Sequence, residues 1–481
     1  MDRDNTRPQS PTQNPARNSQ ALDRARTKAY LRLIPLLFLC YVIAYVDRVN
    51  VGFAKLEMQQ DMESLGFSET VFGTGMGIFF LGYFLLEIPG TLLVELWSAK
   101  KWISRIMISW GIMAALTAFV RTPWQFYTVR FLLGLAEAGF FPGVIVYLTH
   151  WFPRQDRTKA LSLFFIGTPI AQMIAPPISE VIMAIGENGR PTVMGMVGWQ
   201  WVFIFWGIPA LLLGVFVLWF LTDRPRQAKW LTDEEREALE HVLEREKLEQ
   251  RGGAPPHAPT LRNALREALH GLSNPKIAAL AAAYFFVVTG NYGIELYMAS
   301  ILRDWYSLDV KNVAYLIIIP PIGSLIGQVF VGWSSDRTGE RRWHASLPIL
   351  IGAAALVFLP GSKGTLWLTV TLFTIAMTGL KAYLPAFWAL PSLLLTQSAA
   401  AASIGLINSC GNIGGYVGPS VLGVVKDQLK VYSYGLWFLA ASMVISVGII
   451  LAIGIGKRTR PAATIPVAEH TSDLAPAPHR S

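Results

Sequence analysis

The chain has 481 residues, 52% of them hydrophobic and 15% charged, with a formal net charge of +9 and a mean hydropathy of +0.40. A water-soluble domain carries about 25% charged residues, so a soluble globular protein is excluded. The apolar runs are long and continuous, which also excludes a β-barrel of short alternating strands.

The first 29 residues are polar and rich in Pro, Asn, Gln and Arg. They lack the short apolar core of a secretory signal, and a disordered tail is expected over 1–29. Apolar stretches near the roughly 20 residues that cross a bilayer then follow at 31–53, 70–94, 103–121, 124–149, 158–180 and 200–221. After the polar segment 223–274 come 276–302, 312–333, 345–360, 365–391, 399–424 and 433–456, and a second polar tail from 457 to 481. The fold class expected is therefore an all-α polytopic membrane protein of twelve spans. A six-helix bundle over 30–222 and another over 275–456 are joined by the linker 223–274.

Basic residues cluster in alternate connections: Arg24, Arg26, Lys28 and Arg32; Lys100, Lys101 and Arg105; Arg154, Arg157 and Lys159; Arg337, Arg341 and Arg342; Lys457, Arg458 and Arg460. Positive loops stay cytoplasmic, so both termini are expected inside. This pattern, rather than nucleic-acid binding, accounts for the net charge. In the linker, Thr232 and Glu235 have capping-box spacing. Leu239, Val242 and Leu243 form a narrow apolar stripe behind them, fit for a solvated helix or a docking helix. Spans five ("GTPIAQMIAPPIS") and eleven ("GNIGGYVGPSV") echo each other faintly, as an internal repeat would.

Seven ionisable residues lie within the spans: Asp47, Arg48, Glu87, Arg130, Glu137, Glu295 and Lys381. A charge at the bilayer centre costs roughly 2.5–3.5 kcal/mol on insertion scales and marks a pathway or a buried pair. Asp47 and Arg48 are adjacent, so they project about 100° apart and address different neighbours. Arg130 and Glu137 stand two turns apart on nearly one face, about 10.5 Å along the axis. Desolvation raises a carboxylate's proton affinity and a nearby cation lowers it, so a change in cation distance during transport would move a proton. Glu87 fits an interhelical tie or a transport role. Glu295 and Lys381 could neutralise each other, or Lys381 could receive a second substrate carboxylate. Tyr45, Tyr83, Asn291, Tyr292, Trp388 and Asn412 complete a plausible pocket of aromatic and amide groups. The two cysteines, Cys40 and Cys410, lie in apolar segments and make no disulfide framework or thiolate metal site. No metal, other cofactor or catalytic residue is expected, because no His-Glu-x-x-His or Gly-x-Ser-x-Gly occurs.

"GWSSDRTGERR", holding Asp336, Arg337, Gly339 and Arg341, resembles the cytoplasmic loop motif of the major facilitator superfamily. "YVDRVNVGFA", "EIPG", "RFLLGLAEAGFFPG", "LTDRPRQAKWLTDEER", "FWALPSLLL" and "LINSCGNIGGYVGP" are similar to its anion:cation symporter branch. The resemblance implies two pseudo-symmetric six-helix bundles in a bacterial inner membrane, working as a monomer. Its implied function is proton-coupled uptake of a small organic anion such as tartrate, a sugar acid, phthalate or hydroxyphenylacetate. By the same resemblance Asp47 and Glu137 carry protons, Arg48 binds the substrate carboxylate, and the Asp336 loop serves gating. The chain departs from the branch at Trp206, where a carboxylate is usual, at Tyr297 and Ala299, and in adding Glu295 and Lys381. An efflux antiporter for drugs or metabolites is the alternative. Span five lacks that class's glycine-rich motif. A sensor that binds without translocating is a third reading, though no signalling domain is recognisable.

Overall fold

The computed structural model describes residues 15–186, 192–251, 273–391 and 397–456. The expected disorder of 1–14 and 457–481, the basic cluster Lys457 to Arg460, and linker residues 252–272 lie outside the described residues. Eleven described helical segments are long and apolar enough to cross a membrane. The expected eleventh span is an additional helix, Gln397–Leu429, whose 33 residues include six glycines and the polar Asn408, Ser409 and Asn412.

The first span is longer than its apolar core. Helix Pro15–Met62 takes in residues 15–29, which corrects the expectation of disorder there. Ala21, Ala25 and Ala29 recur every fourth residue and are buried, the spacing of one helix face. Arg26 holds both oxygens of Asp156, and Lys28 both oxygens of Glu235. At its other end the helix carries on past residue 53, and Lys55 is fully buried.

Spans two and three are Glu69–Leu96 and Ala99–Leu116, capped by the Ser68 and Ser98 hydroxyls. Span four is broken. Pro123–Glu137 ends at Ala138 and Gly139, and Phe140–Thr149 continues it. Gly139 has φ +83°, and a Cβ there would stand 2.9 Å from the Gly90 Cα. Only glycine takes this conformation at this approach without strain, so the break beside Glu137 is a fixed feature. Span five is Arg154–Phe165 and Gly167–Met183, and span six is Gly198–Phe220.

The linker forms helix Asp233–Arg251 with both capping-box bonds, Thr232 N to Glu235 and Glu235 N to the Thr232 hydroxyl. It is docked rather than solvated: Leu239 and Leu243 are buried, and Glu246 accepts from the Arg154 backbone and the Arg157 guanidinium. The second half comprises Pro275–Tyr306, Val310–Leu316 with Ile319–Thr338, Arg342–Phe358, Leu366–Ala382 with Leu384–Ala389, Gln397–Leu429 and Ser433–Ile453.

Each half packs chiefly on itself, and they meet along the faces of spans one, two and five against seven, eight and eleven. At the end away from the termini the halves are tied by polar bonds. Thr70 donates to Asp427, Tyr297 to the Glu69 carbonyl, and Arg303 to the Leu56 carbonyl. Gly73 and Gly423 let the second and eleventh spans touch there; a Cβ at Gly73 would lie 3.0 Å from the Gly423 Cα. At the end bearing the termini, Asp336 pairs with Arg341 at 2.6 Å, and Gly339 caps its helix with φ +65°. Arg342 donates to the Leu451 carbonyl at the close of the last helix, and Arg337 lies over the Trp333 ring.

Candidate functional site

Midway along the bundle, span one presents Tyr45 and Arg48 one turn apart, facing Tyr292 and Glu295 one turn apart on span seven. The Arg48 guanidinium donates to Glu137 on span four through Nη2 and to the Tyr292 hydroxyl through Nη1, 3.2 Å. It thus touches both halves. The rings of Tyr83, Phe79 and Tyr45 surround it at 5.2, 5.5 and 5.9 Å from their centroids. Such faces stabilise a cation, more so where water is excluded. Glu137 is buried, and its Oε2 has no hydrogen-bond partner among the described residues.

Arg130, expected beside Glu137 from the two-turn spacing, stays within Coulombic reach of Glu137 and Asp47. The hydrogen bond to Glu137 comes from Arg48 instead. Arg130 is buried over the far side of the cluster, 5.3 Å from the Phe79 centroid, and its Nε and Nη1 lack partners among the described residues. Asp47 accepts from the Asn50 amide at 3.3 Å and lies against the Trp110 indole.

Glu295 is the opposite case. Oε1 accepts from the Tyr45 hydroxyl at 2.6 Å and the Gln172 amide at 2.5 Å; Oε2 accepts from the Asn291 amide and the Lys381 ammonium, each at 3.1 Å. Lys381 also donates to the Tyr45 hydroxyl at 3.1 Å. Tyr45 and Gln172 belong to one half, Asn291, Glu295 and Lys381 to the other. A cavity of about 50 Å³ adjoins Glu295 and is lined also by Asn50, Gln172, Ser179 and Met377.

The remaining candidates fall into separate groups. Glu87 accepts from Asn408, from Ser409 at 2.8 Å and from Asn412 at 2.9 Å, so the second and eleventh spans are tied across the halves. Asn412, expected in the substrate pocket, spends its amide there. Trp388 packs edge-on against Tyr284 and Phe387. Trp206 finds a partner in the Ser179 hydroxyl at 2.9 Å.

Two groups went unforeseen. Gln172 is an amide in an apolar helix, with no neighbouring motif to single it out. Lys55 lies beyond the expected span 31–53; it pairs with Glu69 at 2.5 Å and sits 4.2 Å from the Tyr297 centroid. Its one sequence signal is position, seven residues beyond Arg48 and so on nearly the same helix face.

Comparison with known proteins agrees with this architecture. The family model described as Major Facilitator Superfamily matches residues 37–419. A protein of Agrobacterium vitis named "Putative tartrate transporter" is 42% identical over 88% of this chain and 90% of its own length. A "Quinolone resistance transporter" of Acinetobacter baumannii is 37% identical over 89% of this chain and 94% of its own. The inward open structure of the xylose transporter XylE from E. coli superposes with a TM-score of 0.68 at 14% identity, covering 88% of this chain and 96% of that one. This last likeness bears on the fold alone. The chain is a multi-pass membrane transporter, not an enzyme, and it belongs to the major facilitator superfamily.

Proposed function

We propose that the chain couples proton entry to uptake of a small organic carboxylate by alternating access. The termini would be cytoplasmic, the membrane the bacterial inner membrane, and the monomer the working unit. The observation that carries this reading is the Arg48–Glu137 pair, a cation exposed enough to reach a solute and already held by an internal carboxylate. A substrate carboxylate and Glu137 compete for one guanidinium. A proton on Glu137 removes the competitor, so proton and anion enter together. Asp47 offers a second proton acceptor, and Arg130 keeps a fixed positive charge behind both.

Of the seven ionisable residues expected within the spans, the carboxylates Asp47, Glu87, Glu137 and Glu295 outnumber Arg48, Arg130 and Lys381 by one, and the Lys55–Glu69 pair is neutral in itself, so one proton evens the set. Each net charge moved is worth about 2.3 kcal/mol per 100 mV, which is why an anion needs accompanying protons to accumulate. The name of the Agrobacterium relative supports a hydroxycarboxylate substrate, tartrate itself being a dihydroxy dicarboxylate. The name of the Acinetobacter relative favours a second reading, efflux in exchange for protons.

Purified protein in vesicles, given labelled organic anions with and without an imposed pH gradient, tests the proposal. An inward proton gradient should drive accumulation that a protonophore collapses. Accumulation driven only by an outward-directed exchange, or no dependence on Arg48, would refute it.

A further inference from the structure

The chamber contains two cations that could receive a carboxylate, and this chain has supplied a carboxylate of its own to each. The two internal ligands are held very differently. Glu137 makes a bond from Arg48 and keeps Oε2 unpartnered among the described residues. Glu295 accepts four hydrogen bonds, two on each oxygen, from Tyr45, Gln172, Asn291 and Lys381. A carboxylate has about four lone-pair sites, so these donors saturate it.

A hydroxyl, two primary amides and an ammonium converging on two oxygens form a carboxylate receptor. The same donors from the same four spans would serve a solute's carboxylate. The ring of Tyr45 has the Arg48 guanidinium 5.9 Å from its centroid and the Lys381 ammonium 5.7 Å from it. Both cations therefore flank a single side chain. We infer that Glu295 is a built-in occupant of a second carboxylate site, which sets this transporter for monocarboxylates and against dicarboxylates. The inference rests on the organic-anion reading above and sets this chain apart from its relatives named for tartrate, a dicarboxylate.

Three physical points support it. First, a dicarboxylate seated on Arg48 would bring its second charge against Glu295, and like-charge juxtaposition at a recognition site costs several kcal/mol. Second, exclusion through an unfavourable group is the usual route to discrimination between closely related ligands. Third, the Tyr45, Gln172, Asn291 and Lys381 donors are already taken by Glu295, so a second substrate carboxylate would have to displace it to be received there. The neutral part of a monoanion can still meet this face, since hydroxyl groups pair with amides and with Tyr45.

Uptake into vesicles under an inward proton gradient tests the inference, with a labelled panel of monocarboxylates and their dicarboxylate counterparts of equal length. Wild type should prefer the monocarboxylate by at least about tenfold in kcat/KM, the factor for each 1.4 kcal/mol. E295Q removes the opposing charge and leaves the Lys381 charge without an ionic partner, so the dicarboxylate to monocarboxylate ratio should rise at least about tenfold. E295Q with K381Q keeps the site neutral and should lose that rise, because no cation remains to receive the second carboxylate. Monodispersity in detergent and binding-induced thermal shifts check that each variant folds.

A wild type that takes dicarboxylates as well as monocarboxylates would overturn the inference without any variant. So would a folded E295Q with an unchanged ratio, while anion uptake itself remained. A wild type that moves none of the panel would overturn the organic-anion reading first, and the inference with it.

Discussion

Replacing Glu137 by glutamine separates proton coupling from anion binding. In the native site Arg48 has an ionic partner, Glu137, a neutral partner, Tyr292, and three ring faces. Two unit charges about 4 Å apart interact by about 4 kcal/mol at an effective dielectric constant near 20. Some of that is spent on the amide that the substituted side chain would still offer, and some is screened because the Arg48 side chain is 15% exposed. A gain of about 1.4–2.8 kcal/mol is left for an incoming carboxylate, ten- to a hundredfold in affinity. The E137Q protein should therefore bind the anion about ten- to a hundredfold tighter than wild type at alkaline pH. The wild type should approach it as pH falls, because a proton on Glu137 does what the substitution does. Binding by thermal shift or calorimetry across pH reads the first effect. Vesicle assays read the second: counterflow exchange should persist, but accumulation driven by a proton gradient should be lost. If E137Q binds no tighter than wild type at high pH, or still accumulates anion at the wild-type level, the competition argument is wrong.

Other perturbations follow from the same geometry. R48A removes the group that bonds both Glu137 and Tyr292, and uptake of every anion tested should fall at least about a hundredfold, the range for a hydrogen-bonded charge lost at a binding site. K55M strands Glu69 in a buried contact, a loss of about 3–5 kcal/mol where a buried pair is broken from one side; thermal denaturation in detergent should show it, with recovery in K55M with E69Q. Gly73→Leu would collide with the eleventh span, so closure at the end away from the termini should fail, and cysteines placed at that end should label faster. Glu235 is buried, which by itself raises its proton affinity, but the Lys28 hydrogen bonds, the capping bond from Thr232 and the charges of Lys28 and Arg24 hold it below its ordinary 4.5. A depressed carboxylate stabilises fully above its unfolded value and loses that contribution as pH falls through its folded value. Protease cleavage within the linker helix should thus stay slow at pH 6–8 and quicken below about pH 4.5, and E235A should quicken it at neutral pH.

What the sequence displays depends on whether a feature is local or tertiary. Helices, caps and the basic loops are local, so the Thr232–Glu235 capping box and the Asp336–Arg341 loop are legible at once. Residues 15–29 hide their helix because the buried face is made of alanines, which score weakly as apolar. The long first helix also hid Lys55, since a lysine followed by a glutamate two residues later reads as the start of a loop until Glu69 and Tyr297 are seen beside it. Spacing along one helix paired Arg130 with Glu137, whereas the helix ends at Glu137, just before the Ala138–Gly139 break, and the bonded cation comes from another span. No periodicity reports which span a side chain meets. The Glu295–Lys381 pair is one of two readings the sequence leaves open; of the three neutral donors around it, Tyr45 and Gln172 are tertiary facts, and Asn291 stands one turn away on the same helix.

The two internal carboxylates explain each other. A transporter of anions must present a cation, but a bare cation in a low-dielectric chamber is costly, and removing its partner leaves an uncompensated charge. Supplying an internal carboxylate solves that problem in the empty protein and creates another, because the partner must leave before substrate can bind. The number of hydrogen bonds decides whether it can. Glu137 has an oxygen without a partner among the described residues, so a proton can arrive without breaking a bond, and only the Arg48 contact has to be given up. Glu295 has both oxygens engaged, and displacing it means breaking four bonds to four spans at once. At about 1 kcal/mol for each neutral hydrogen bond and more for the charged one, that cluster resists exchange by several kcal/mol. On the proposed mechanism one carboxylate acts as a switch and the other as a fixture, and the same chemistry would yield coupling at Arg48 and selectivity at Lys381.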